Sequence, residues 1–160
     1  MSSDLELAGK WRITAHGQTT LLKKRSMEKR SHVIMKGLLW ALYLPQFPDI
    51  KIEVRIGHRY KPDLVSLNSR GAPVFWGEAG AVGKRKIETL CKRFRSTHLV
   101  FAKWGQESKH VVAQFKAAAT NLKREAPVEL LFFPEDSRER FVDERGLVAI
   151  RKEELAAHSW

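Results

Sequence analysis

The sequence contains one cysteine, Cys91, among its 160 residues. A lone thiol excludes an intramolecular disulfide framework and a cysteine-built zinc site. His16, His58, His98, His110 and His158 are scattered without the spacing of zinc ligands. No apolar run approaches the roughly 18 residues of a membrane span. The opening stretch "MSSDLELAGKW" carries acids and lacks the apolar centre of a signal peptide. Gly-rich phosphate loops are missing too, since "GKWRITAHG" does not have the Walker spacing. Internal repeats and low-complexity tracts are absent. These absences predict a cytoplasmic protein with no membrane partner.

An apolar fraction of 43% and an aromatic fraction of 9% belong to a folded chain, and this length suits one domain spanning residues 1–160. Lysine and arginine outnumber the acids 29 to 18, for a formal net charge of +11. That surplus suits an anionic partner such as nucleic acid, and it equally suits a basic solvated surface.

Residues 1–10 read as a loose lead-in and "WRITA" as a short strand. The segment "KKRSMEKRSHVIMKGLLWALYLPQFP" predicts a helix. Met27, Ile34, Leu38, Ala41 and Leu42 fall on one face, Pro45 limits the far end, and Gly37 weakens the pattern. "DIKIEVRIG" alternates as a half-buried strand, and "KPDLVSL" and "APVFWGE" form two more strands joined by the reversal "NSRG". "GKRKIETLCKRFRS" predicts a helix burying Ile87, Leu90, Cys91 and Phe94, with Lys84, Arg85, Lys92 and Arg95 outside that stripe. A strand "THLVFAKW", a helix "ESKHVVAQFKAAATNLKRE" and a strand "PVELLFFP" follow. "GLVAI" suggests a last short strand, and residues 151–160 a charged tail or helical turn. The order predicts an α/β domain with a mixed sheet flanked by helices.

Asp63 precedes the "NSRG" reversal by about as many residues as Glu78 follows it, so the hairpin sets them nearly opposite. Like charges at that separation are destabilising unless a cation lies between them. The pair suits magnesium, which takes one or two carboxylates together with water and substrate phosphate. Two solvated acids at a hairpin end fit the same letters. On the preceding helix Glu28 and His32 stack one turn apart, either as a boundary ion pair or as additions to the acid site.

The helix "MEKRSHVIMKGLLWALYL", the strand "YKPDLVSL" and the run "FWGEAGAVGKRKIETLCKR" resemble the PD-(D/E)XK nuclease superfamily, and within it the YaeQ-like proteins. The likeness spans roughly residues 26 to 104. It implies a restriction-endonuclease-like core and a metal-dependent phosphodiesterase, with Asp63, Glu78 and Glu28 as ligands of magnesium or manganese. Binding of that metal is expected to be weak without substrate. The superfamily's usual lysine two residues after the second acid is here Gly80, as it is in the YaeQ-like pattern. A basic residue from Lys84, Arg85 and Lys86 then stands in, and Lys86 is the choice because an amine can orient water where guanidinium cannot act as a base. His32 is expected to support Glu28. Lys84, Arg85, Lys92 and Arg95 are the candidate nucleic-acid contacts. The alternative is a catalytically silent member that binds nucleic acid or another partner through its basic helices.

Overall fold

The computed structural model describes residues 9–160. Of the expected lead-in, residues 1–8 lie outside the described residues. Two strands, β1 (Lys10–Ala15) and β2 (Gln18–Lys23), form an antiparallel hairpin. The connecting residues His16 and Gly17 both sit at positive φ, 51° and 77°, the conformation that matches the twist of a two-residue hairpin. "QTTLLK" is a strand that its own polar alternation did not announce.

Helix α1 (Arg30–Tyr43) leads to the short β3 (Lys51–Ile52) and the strands β4 (Leu64–Leu67) and β5 (Pro73–Ala79). Helix α2 (Lys84–Arg93), β6 (His98–Trp104), α3 (Lys109–Thr120) and β7 (Val128–Phe133) follow. A short α4 (Ser137–Phe141), a single 3-10 turn (Lys152–Glu154) and β8 (Ala156–Ser159) complete the chain. The main sheet runs in the order β3-β4-β5-β6-β7-β8. Its middle pairs, β5 with β6 and β6 with β7, are parallel, and every other pair is antiparallel. Two parallel steps joined by helices explain the unbroken apolar runs of β6 and β7, which are covered on both faces.

One face of the sheet packs against α1, the β1–β2 hairpin and α4 through Trp11, Ile13, Leu38, Phe75 and Phe141. The other packs against α2 and α3 through Trp76, Leu90, Cys91, Phe101 and Phe115. Cys91 is a buried core residue of the second layer. Among the described residues no helix is long and apolar enough to cross a membrane.

Four expectations are corrected. The first helix begins at Arg30, so Met27 is 94% exposed rather than part of the apolar stripe. A turn closes ahead of it, with the Glu28 N–H donating to Arg25 O at 3.0 Å and the Arg25 N–H to Glu28 Oε1 at 3.1 Å. The strand expected over "DIKIEVRIG" ends at Ile52, because Glu53 turns into the left-handed region at φ 56°. "GLVAI" contributes isolated bridges, Thr14 with Leu147 and Val142 with Val148, rather than a strand. Of residues 151–160 the expected helical turn is present at Lys152–Glu154, but the rest is no tail, since β8 pairs with β7 along Glu129–Phe132 and closes that edge of the sheet.

Gly37 has a packing reason. A Cβ built there would lie 2.9 Å from side-chain atoms of Trp11, Ile13 and Leu22, so α1 rests directly on the hairpin. Gly37→Ala gains about 1 kcal/mol of helix propensity, but overpacking costs about 1–3 kcal/mol. The expected outcome is a net loss of stability and a lower thermal midpoint in urea and heat denaturation. A midpoint above that of the wild type would show that the hairpin yields freely.

Candidate functional site

The antiparallel register pairs Leu64 with Gly77, and the next step along both strands sets Asp63 opposite Glu78. The two acids meet where β4 begins and β5 nears its end. The backbone N–H of Ala79 donates to Asp63 Oδ2 at 2.8 Å, fixing that carboxylate beside the turn out of β5. Glu78 is 4% exposed and shares its strand face with Trp76, whose indole N–H donates to Glu78 Oε1 at 2.8 Å.

The two carboxyls have opposite electrostatic fates. Burial raises the Glu78 carboxyl to about 7, and the charge of Asp63 adds to the rise. The Trp76 indole and the Lys86 ammonium pull the other way and do not prevail. Burial works against the charged form of Asp63 as well, but hydrogen bonds from His32 and the Ala79 N–H hold it below the ordinary carboxylate value. Asp63 therefore favours its charged form, while burial and the Asp63 charge resist ionisation of Glu78.

Of the three basic candidates, Lys86 reaches the acids. Its Nζ lies 3.1 Å from Glu78 Oε1 and 5.1 Å from the centre of the Tyr60 ring. Lys84 points to solvent and pairs loosely with Glu88 at 3.9 Å. Arg85, Lys92 and Arg95 are exposed on the same helix or just beyond it. Gly80 stands at φ 87°, a backbone conformation that disfavours a lysine.

Glu28 lies behind the pair. His32 bridges it to Asp63, with Nδ1 2.5 Å from Glu28 Oε2 and Nε2 3.4 Å from Asp63 Oδ2. An imidazole flanked by two carboxylates can donate to both only as the cation. The hydrogen bond to Asp63 raises the His32 pKa, against the opposing effect of burial. The same Glu28 oxygen lies 2.7 Å from Lys36 Nζ, which also donates to Glu53 Oε1 at 2.8 Å. Burial opposes the charge of Glu28, yet Lys36, the Arg25 N–H and His32 together hold its carboxyl below the ordinary value. Glu28 is thus engaged by three donors, and its link to Asp63 runs through His32.

Sequence reasoning missed Lys36 and Glu53. Lys36 is 1% exposed and is the one lysine or arginine between Ser31 and Leu44, a lone charge in an apolar run that could have marked it. Glu53 gave no such signal, since it sat inside an apparent strand.

Among the described residues no three His, Cys, Asp or Glu side chains are grouped to hold a metal ion by themselves. The donor set suits a hard divalent ion that takes two carboxylates and completes its shell with water and phosphate. It does not form an all-protein cage. Burial and the Asp63 charge oppose ionisation of Glu78, an opposition that a bound cation would offset.

No family model matches the chain, and no curated protein matches it in sequence. Solved structures similar to it include two YaeQ proteins. The YaeQ protein from Xanthomonas axonopodis pv. citri is 18% identical over 82% of this chain and 77% of that one, with a TM-score of 0.58. The YaeQ protein from Pseudomonas syringae is 14% identical over 79% and 71%, with a TM-score of 0.60. The fold is that of the YaeQ proteins. Their mixed α/β sheet, flanked by helices, is the frame that brings Asp63 and Glu78 together here.

The raised Glu78 pKa has a definite consequence for stability. The folded chain retains a proton on Glu78 that the unfolded chain loses above pH 4.5. Stability from this group is complete below pH 4.5 and is lost as pH rises through about 7. Glu78→Gln keeps the shape and removes the titration. Relative to wild type it should gain roughly 1–3 kcal/mol between pH 5 and pH 8 in paired urea melts. An unchanged difference between the two pH values would mean that Glu78 ionises normally.

Proposed function

We propose that the chain is a YaeQ-like member of the PD-(D/E)XK superfamily with a restriction-endonuclease-like core, and that it is a metal-dependent phosphodiesterase acting on nucleic acid in the cytoplasm. The observation that carries this reading is the pairing of half-buried Asp63 with buried Glu78 at adjoining strand ends, with Lys86 3.1 Å from Glu78. Support also comes from the element order, a helix, three strands, a helix and a strand, which agrees with the order of helix, strands, helix and strand that the resemblance implies. The chain's net charge of +11 suits a polyanion.

Asp63 and Glu78 would hold magnesium or manganese, which supplies polarisation of a phosphoryl oxygen and a more acidic water. Asp63 offers a carboxylate that stays charged at neutral pH, held by the Ala79 N–H and His32. Lys86 offers an ammonium to offset negative charge that builds on the phosphate. Its contact with Tyr60 and Glu78 restricts it to the mouth of the acid pair. Glu28 positions His32 rather than binding the ion. Lys84, Arg85, Lys92 and Arg95 offer contacts to the nucleic-acid backbone.

One observation favours a second reading. Trp76 and Lys86 both engage Glu78 Oε1, an arrangement that also suits a carboxylate retired from metal binding. The chain is then a silent nucleic-acid-binding module.

Magnesium-dependent nicking of mixed single- and double-stranded DNA and RNA, run beside salt-titrated binding, decides between them. Asp63→Asn should lower nicking roughly 100-fold or more, and Lys86→Met should do the same with affinity nearly unchanged. In manganese calorimetry, Asp63→Asn should lose the heat that the wild type gives. Binding without any cutting, indifferent to Asp63→Asn, selects the silent module.

Lys92→Met should weaken binding modestly and reduce its salt slope by about 1. A salt slope equal to the wild type would leave Lys92 as a solvated charge.

A further inference from the structure

Among the described residues, Lys36 faces Glu28 and Glu53, Lys84 faces Glu88, Lys86 faces Glu78, and Lys152 faces Glu129. Lys103 is different. It lies one step past the Ala79–Ala102 pair of β5 and β6, alongside Gly80. Its Nζ donates to Gly80 O at 2.8 Å and sits 5.4 Å from the centre of the Phe115 ring. Among the described residues no carboxylate is paired with it. Burial pushes its pKa below that of an ordinary lysine. A half-buried ammonium held by one carbonyl and a ring face gains from an anion that replaces its lost water.

Lys103 opens onto a crevice of about 620 Å³, within the range of small-ligand sites. The crevice lies beyond the carboxyl ends of the parallel strands β5, β6 and β7, where open α/β sheets commonly receive ligands. Met35, Trp104, Val111 and Phe132 give it apolar walls, and Lys103, Lys29, His32, Gln106 and two serines give it polar ones. Glu28 also lines it, its carboxylate already held by Lys36, His32 and the Arg25 N–H. A flat apolar body bearing one anionic group fits this division. A continuous duplex, whose bases are stacked and covered, cannot offer one base to such a space.

We propose that the crevice is a subsite for one unpaired nucleotide, its base lodged among Met35, Trp104, Val111 and Phe132 and its phosphate on Lys103. This rests on the nucleic-acid reading above and narrows it, because the substrate then presents a single-stranded or frayed segment. Lys103 grips the carbonyl of the residue two beyond Glu78. A phosphate there belongs to a nucleotide adjoining the one at the acid pair.

The test is titration of the full chain with dTMP, thymidine and inorganic phosphate. Tryptophan indole N–H resonances are followed by NMR, and Trp104→Phe assigns the signal of Trp104. dTMP should move that signal, and thymidine and phosphate should each bind about 10-fold or more weakly than dTMP. Lys103→Met should weaken dTMP about 10-fold and leave thymidine unchanged. Val111→Trp should fill the crevice and weaken both, with a thermal melt of each variant as the folding control. An unmoved Trp104 signal, or dTMP bound equally by Lys103→Met, overturns the subsite. Phosphate bound as tightly as dTMP reduces it to a bare anion site and overturns the nucleotide assignment. Catalysis is scored separately: if Asp63→Asn nicks like wild type while dTMP still occupies the crevice, the nuclease reading falls and the subsite stands.

Discussion

Taking the Lys36 ammonium out of water costs several kcal/mol unless carboxylates surround it, and the acid end of this protein is built around meeting that cost. Glu28 comes from the turn before α1, and Glu53 from the end of β3. Lys36 itself lies between them on α1, 1% exposed. Three separate segments are thereby locked at one point. The left-handed backbone of Glu53 and the closed turn at Glu28 both follow, since each aims a carboxylate at the same nitrogen. From there the order passes through His32 to Asp63.

The neighbouring pair of acids works by contrast. Asp63 and Glu78 are close in register, yet one is surrounded by donors that favour its charge and the other by burial that opposes it. Two carboxylates with separated tendencies make a site that responds to a cation, whether from Lys86, a metal ion or a change in proton occupancy. Gly80 turns the chain away immediately afterwards, and its carbonyl anchors Lys103 on the next strand. The acid pair and the crevice are thus two sides of one turn.

Much of this architecture could be read in the letters. α2 and α3 came through because their apolar residues recur at helical spacing, and β5, β6 and β7 because they are short apolar runs bounded by glycine, proline or charged turns. The opposition of Asp63 and Glu78 came through because a tight reversal converts spacing into register. The preference for Lys86 over Lys84 and Arg85 rested on chemistry, and its side chain lies against Glu78. Other elements were hidden. Met27 and Glu28 continued a helical pattern, but the turn at Arg25 ends it, because Glu28 satisfies the Arg25 N–H with its own side chain. β8 looked like a polar tail, since a strand at a sheet edge buries little and takes its order from the backbone of β7.

The sequence by itself determined the local elements and the opposition of the two acids. Both depend on residues near one another along the chain, where periodicity and turn chemistry act directly. Tertiary structure alone decided which charges are paired, which are buried and which face a crevice. Lys36, Lys86 and Lys103 are the same residue type in similarly basic or apolar surroundings of sequence. Their different states come from what distant segments bring to them: two carboxylates for the first, one for the second, and for the third a carbonyl and a ring. The physical reason is that desolvation and Coulomb energy depend on the three-dimensional neighbourhood of a charge, which no spacing along the chain encodes.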